Sequence, residues 1–443
     1  MSIIWSIEDL IGRAVRVTAA LTLIAPATAL AQTALPEDAP VLKIGLVTFL
    51  SGPAAGHFGV PARNGAEVTI DAINNGTLPA PYDQPGIAGA RVEVVTIDEA
   101  GGANKQVAEF RNLVQRQNVD LVYGYISSGD CLAVPPVAEE LKKLTILADC
   151  GTPRVFEEAS YHYVFRTGAH AVMDNVSIGR YLRQHFPDTK RIAGINQNYA
   201  WGQDSWHDIT ATMTALEPST EIVTEQFPKL FAGQFGAEIS ALLVAKPDIV
   251  YTSFWGSDLE GFILQGVGRG LFAQSKIVLS AGEQILPRIG KQLPDGTIVG
   301  ARGPHGDFAR KSALNEWFRK NYVDRYNTAP NYAAYKYSQG LLAIKTAYEK
   351  AAAAAGGKPD QEQVIAALEY MDWEGPSGMV KMGIGKGHQA VQETAVGLSK
   401  WDAELGRVTV SDVVYYPADC VNPPDGVTGI DWIKGGFTGA NCP

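Results

Sequence analysis

Apolar positions along this chain switch repeatedly between two rhythms. VLKIGLVTFL, at 41–50, is a dense run of β-branched and apolar residues and predicts a strand. SGPAAGHFG follows as a loop, and in VPARNGAEVTIDAINNG the residues Ala62, Ala66, Ile70 and Ile73 share one helical face before Gly76 ends it. ARVEVVTIDE, VDLVYGYI and LTILAD predict three more strands. Between them lie the helices NKQVAEFRNLVQRQN and VPPVAEELKK. After YHYVFRTG the rhythm restarts. KRIAGINQ, EIVTEQF, PDIVYTSFW and SKIVLSAG read as strands, alternating with helices that begin at Met173, Gly202, Phe235 and Asp258. Strict alternation of this kind predicts an α/β fold with two parallel sheets, each covered by helices on both faces. From Asp295 the pattern changes to long helices over 308–326 and 331–357. Paired strands around an Asp turn follow in GHQAVQETAVGLSKWDAEL, and then a loop-rich tail.

Composition narrows the setting. The 443 residues exceed one ordinary core, so two lobes are expected. A formal net charge of −10 with no Lys/Arg block argues against nucleic acid or an anionic membrane as partner. Arg13 and Arg16, an apolar run from Val17 and Ala29-Leu30-Ala31 before Gln32 have the order of a secretory signal over 1–31, cleaved after Ala31. An uncleaved anchor is the rival reading, against which stand Pro26 and the shortness of the run. Export makes disulfides expected for the four cysteines. Of the three possible pairings, proximity favours Cys131 with Cys150 and Cys420 with Cys442. A metal site is the rival, but no C-x-x-C or H-x3-H spacing accompanies them. Each bridge would close a loop worth roughly 3 kcal/mol by the chain-entropy model.

In open parallel sheets, ligands bind beyond the carboxyl ends of the strands. That rule selects Ser51–Gly59, the group Ser127, Ser128 and Gly129, and the group Cys150, Gly151 and Thr152. Hydroxyls and backbone N–H groups there suit a carboxylate, or else they cap turns and helices. The second unit places Tyr199, Trp201 and Trp206, then Phe254 and Trp255, then Glu283 at its rim. The aromatic residues are either cleft lining or core, and Glu283 either receives an ammonium group or caps a helix. Catalytic motifs are missing. GYISSG is not G-x-S-x-G, GVGRG is not G-x-G-x-x-G, and the seven His form no H-E-x-x-H. We therefore expect no enzyme, no metal and no cofactor.

VLKIGLVTFLSGPAAGHFGVPARNGAEVTIDAIN, the block Gly124–Pro153, YAWGQD and VYTSFWGSDLEGFILQ resemble the branched-chain-amino-acid periplasmic binding proteins. These are type I solute-binding proteins of ABC importers, the leucine-binding-protein family. The resemblance spans about Val41 to Asp402 and leaves a C-terminal extension, 403–443, unmatched. It implies a two-lobe type I periplasmic-binding fold whose lobes are joined by three hinge crossings, at Phe165–Gly168, Gly300–Pro304 and near Gly385–Gln389. Lobe 1 would then comprise 41–166 and 302–385, and lobe 2 would comprise 167–301 and 386–443. It also implies a periplasmic, monomeric protein that captures an amino acid and delivers it to an inner-membrane ABC permease. A binder of an aromatic acid or amide, or a sensor, stays open as an alternative. Carried over by position, the carboxylate site falls on Ser128 and Thr152 with the backbone near Cys150, and Ser127 competes with Ser128. The ammonium acid falls on Glu283 and the aromatic positions on Phe58, Trp201 and Trp255. Cys131 lies a few residues beyond the family's cysteine. Two positions often Tyr in the family look like Trp here, which suits a larger, aromatic or cationic ligand.

Overall fold

The computed structural model describes residues 35–442; the expected signal segment, 1–31, lies outside them. Two sheets organise the described chain. The first begins with β1 (Val41–Thr48), β2 (Arg91–Asp98), β3 (Leu121–Gly124), β4 (Thr145–Leu147) and β5 (Val164–Arg166), all parallel, in the order β2-β1-β3-β4-β5. The second repeats that order as β7-β6-β8-β9-β10, from β6 (Arg191–Ile195), β7 (Glu221–Gln226), β8 (Ile249–Thr252), β9 (Lys276–Leu279) and β10 (Ile298–Gly300). Central strands such as LVYG in β3 and IVYT in β8 are buried along their whole length, as parallel strands covered on both faces must be. The edge strands β2 and β7 are largely open to solvent.

Five later strands extend both sheets. β11 (Asp372–Gly375), β12 (Gly378–Ile384) and β13 (Gln389–Gln392) complete the first, with β13 joined to β5 through Gln389 and Arg166. β14 (Thr394–Asp402) and β15 (Arg407–Tyr416) form a hairpin on β10 and complete the second. The chain therefore passes between the sheets after β5, after β10, and at Glu393 between β13 and β14. The third passage lies beyond the expected Gly385–Gln389, and 386–392 goes with the first sheet rather than the second. The physical reason is that the sequence is strand-like on both sides of Glu393, so periodicity does not show where one sheet gives way to the other. The hairpin β11–β12 also carries no alternation strong enough to mark it.

The long helix Tyr332–Ala355 packs against the helix Val60–Asn75 beside the first sheet. The loop-rich tail contains two short helices, Ala418–Val421 and Gly429–Lys434, which pack on Ala171–His185 and Ala200–Leu216 of the second lobe. Both expected disulfides are formed, Cys131 with Cys150 and Cys420 with Cys442, at Cα–Cα distances of 6.3 and 4.7 Å. Among the described residues no helix is long and apolar enough to cross a membrane, and no group of His, Cys, Asp or Glu is arranged to hold a metal.

Candidate functional site

The strand order reverses between β1 and β3 in one sheet and between β6 and β8 in the other. The loops that leave these four strands are where a ligand crevice forms in such sheets. They meet around one small, half-open space of about 10 Å³, touched by Ser128 and Gly151 from one lobe and Tyr199, Trp201 and Trp255 from the other. That volume admits no more than one water. The lobes also touch beside it. Ser257 N donates to Pro53 O at 3.1 Å, and Arg288 Nη2 donates to Gly56 O at 2.7 Å. His57 Nε2 lies 3.2 Å from Glu260 Oε2.

Ser128 begins the short helix Ser128–Ala133. Its Oγ accepts from Gly151 N at 3.2 Å and from Thr152 N at 3.1 Å. Two donors on that oxygen leave its own O–H directed elsewhere, as a donor with no acceptor among the described residues. Behind the loop, Arg166 Nη1 donates to Cys150 O at 2.9 Å and to Thr152 O at 2.6 Å. Carbonyls thus point back to the guanidinium, and N–H groups point forward to Ser128. The Cys131–Cys150 bridge joins the same loop to the helix. Ile126 N and Ser127 N both donate to Glu99 Oε1 at 2.7 Å, which holds the chain entering Ser128.

Five rings, Phe58, Tyr199, Trp201, Trp255 and Tyr332, line the space. Trp255 meets Phe58 edge-on with centroids 5.5 Å apart, and Phe58 meets Tyr332 at 5.0 Å. Each indole N–H is satisfied within the protein: Trp201 Nε1 donates to Ser253 O at 2.8 Å and Trp255 Nε1 to Tyr199 Oη at 2.6 Å. Trp201 lies flush on the loop of the other lobe. A Cβ at Gly151 would sit 2.2 Å from its ring and 2.7 Å from Arg302 Nη2, so only glycine fits there.

Beneath the rings lies a buried ion cluster. Arg302, on the second passage, donates through Nη1 to Asp149 Oδ1 at 2.8 Å and through Nε to Asp174 Oδ2 at 3.0 Å. Its guanidinium carbon is 4.5 Å from the centroid of Trp201. Lys336 Nζ pairs with the same Asp149 oxygen. Two cations and two carboxylates balance, and Arg302 joins an acid of each lobe. Burial, with Arg302 nearby, pulls the Lys336 pKa down to about 8.

The eight expected residues divide. Phe58, Ser128, Trp201 and Trp255 line the space. Ser127 and Cys150 do not line it; their backbone is tied behind it, Ser127 N to Glu99 and Cys150 O to Arg166. Thr152 contributes its N–H, but its hydroxyl donates across the lobes to Asp204 Oδ2 at 2.5 Å. Glu283 stands apart from the space. Its Oε2 accepts from Tyr332 N at 2.6 Å, capping the helix Tyr332–Ala355, and its carboxyl packs on Gly306. Of the two readings of Glu283, its contacts are those of a helix cap, with its carboxyl on the Tyr332 N–H; the ammonium role stays an expectation of the family resemblance.

Burial, then repulsion from Asp307, raises the Glu283 pKa to about 8 from 4.5. Between those values the folded chain keeps a proton that the unfolded chain has lost. Stability from this group is therefore full below 4.5 and falls as pH rises through 8. Glu283→Gln should remove that fall. Between pH 4.5 and 8.5 the unfolding free energy of the wild type should drop relative to Glu283→Gln by on the order of 4 kcal/mol. Parallel urea-unfolding curves at every pH would contradict it.

Asp149, Asp174, Arg302, Lys336 and Tyr332 were not legible as site residues. One cue was available: Lys336 interrupts an otherwise uncharged helical run, YAAYKYSQGLLAI, where a lone cation must find a partner.

A family model described as periplasmic binding protein matches residues 41–402. The fold is also that of several solved structures. A solute-binding protein of an ABC transporter from Rhodopseudomonas palustris BisB5, in complex with 3,4-dihydroxybenzoic acid, is 22% identical with a TM-score of 0.72, over 85% of this chain and 98% of that one. Its counterpart from Rhodopseudomonas palustris HaA2, in complex with p-hydroxybenzoic acid, is 21% identical with a TM-score of 0.73, over 85% and 97%. The leucine-binding protein LivK of Thermotoga maritima MSB8 is 17% identical with a TM-score of 0.69, over 84% and 98%. No curated protein matches the sequence. The matched span takes in every strand but β15 and every loop around the space between the lobes, and the chain belongs to the periplasmic binding protein family.

Proposed function

We propose that this protein is the extracytoplasmic solute-binding component of an ABC importer and that its ligand is an aromatic monocarboxylate. The observation that carries the ligand class is the wall of the cleft. Five rings surround it, and its one acid, Asp149, is held by Arg302 and Lys336. Glu283, the acid needed for an amino-acid ammonium group, faces the helix Tyr332–Ala355 instead. The two Rhodopseudomonas palustris proteins in complex with hydroxybenzoates support the same reading.

The Ser128 O–H would donate to the ligand carboxylate, and the rings would stack on its face and edges. Because the space is so small, the lobes must part, or Trp201 and Trp255 must turn, before a ligand enters. Closure would then restore the Thr152–Asp204 and Pro53–Ser257 bonds across the lobes, and that closed face is what a permease would recognise. Burial of the ring supplies affinity, and a buried carboxylate without donors would be strongly disfavoured.

Tryptophan emission reads this directly, since two of the wall rings are indoles. Titration with 4-hydroxybenzoate should change the emission saturably, and the change should shrink in Trp255→Phe. An unchanged spectrum up to millimolar 4-hydroxybenzoate, with a saturable change on adding leucine, would replace the aromatic acid by an amino acid.

A further inference from the structure

A second cavity, about 150 Å³, lies behind the passages between the lobes, on the far side of the Cys150–Thr152 loop. Arg166 and His170 form its floor, and Phe156, Ile384 and Val427 supply apolar wall. Arg166 is buried at the end of β5. Its Nε donates to Gln389 Oε1 at 2.5 Å and its Nη1 to the two loop carbonyls, while Nη2 has no partner among the described residues. No carboxylate lies within ion-pair distance of it among those residues. The two acids on the wall are engaged elsewhere: Glu157 Oε1 accepts from Gly429 N at 2.7 Å, and Asp425 accepts from Lys386 N at 3.1 Å and from Tyr370 Oη at 3.3 Å. His170 is buried beside it, and neither of its ring nitrogens opens onto the cavity. Burial, reinforced by Arg166 and Arg302, holds its pKa down at about 3, so the ring is neutral and adds no second cation to Arg166.

We propose that this cavity is a second ligand site, which takes a short-chain aliphatic carboxylate with its oxygens on Arg166 Nη2. A buried guanidinium with no carboxylate partner suits one negative charge. Glu157 and Asp425 on the wall disfavour a dianion such as phosphate. Phe156, Ile384 and Val427 leave room for a short alkyl tail. The site is joined to the cleft through one side chain. Nη1 of Arg166 fixes the loop that carries Gly151 and Thr152, and Nη2 faces the rear cavity. The wall also combines first-sheet residues with Val427 and Thr428 of the C-terminal extension, so an occupant would touch both lobes.

Calorimetric titration of the full mature protein with butyrate tests this in two forms, wild type and Val427→Trp. Val427 is 42% exposed, so the indole should fill the cavity mouth without unfolding the chain. Ser160→Trp, from another exposed part of the wall, serves if it does not. The expected result is one butyrate per chain, weakened at least tenfold in Val427→Trp. Two results would each overturn the proposal: no heat with the wild type at millimolar butyrate, or equal affinity in the folded tryptophan variant, which would put butyrate elsewhere.

Discussion

Asp149→Asn is expected to lower the unfolding free energy by about 3–5 kcal/mol. The substitution preserves shape and removes one charge from a balanced, buried group of four. Among the described residues Lys336 has Asp149 as its only ion-pair partner, and both are fully buried. Without that charge the ammonium is left unpaired in the core, and Arg302 keeps only Asp174. A second substitution separates this from simple loss of packing. Lys336→Met in the Asp149→Asn background removes the stranded cation and should recover a large part of the loss, because the two sites are directly coupled. Chemical denaturation of the four proteins in the cycle measures it. A single variant within 1 kcal/mol of wild type, on the order of a surface substitution, would mean that the cluster is not closed to water.

Ser128→Ala should weaken aromatic-acid binding by roughly ten- to a hundredfold, the range for a hydrogen bond to a charged group. The variant should also lose about 1–3 kcal/mol of stability, since Gly151 N and Thr152 N are left without their acceptor. Thr152→Val is the contrast. Its hydroxyl is bonded to Asp204 and not to the cleft, so direct contact with the ligand is unchanged. A change there reports on closure alone and should be within a few-fold. If Thr152→Val abolished binding and Ser128→Ala did not, the carboxylate would be on the wrong hydroxyl in this account.

The architecture was legible because parallel strands leave a plain trace. Runs such as VLKIGLVT and KIVL, separated by helices with one apolar face, have few other folds open to them. Ser128 was legible for the same reason, as a hydroxyl in the loop at a switch in strand order. Strand-end aromatics were harder. Trp201 and Trp255 line the cleft, whereas Trp206 donates to Glu225 and packs on Tyr251 within the second lobe, and nothing in YAWGQDSW separates the two fates. Glu283 shows the limit most clearly. An acid after a strand can face a ligand or the first N–H of another helix, and the helix that takes it begins at Tyr332, far along the chain. Arg302 was hidden likewise, since its two carboxylates come from β4's end and from the helix Ala171–His185.

The most direct test of the central claim is a side-by-side calorimetric titration of the mature protein with 4-hydroxybenzoate and with leucine. The account predicts saturable 1:1 binding of 4-hydroxybenzoate, undiminished in Glu283→Gln, and no heat with leucine. Tight leucine binding that disappears in Glu283→Gln would contradict it and return the cleft to an amino acid.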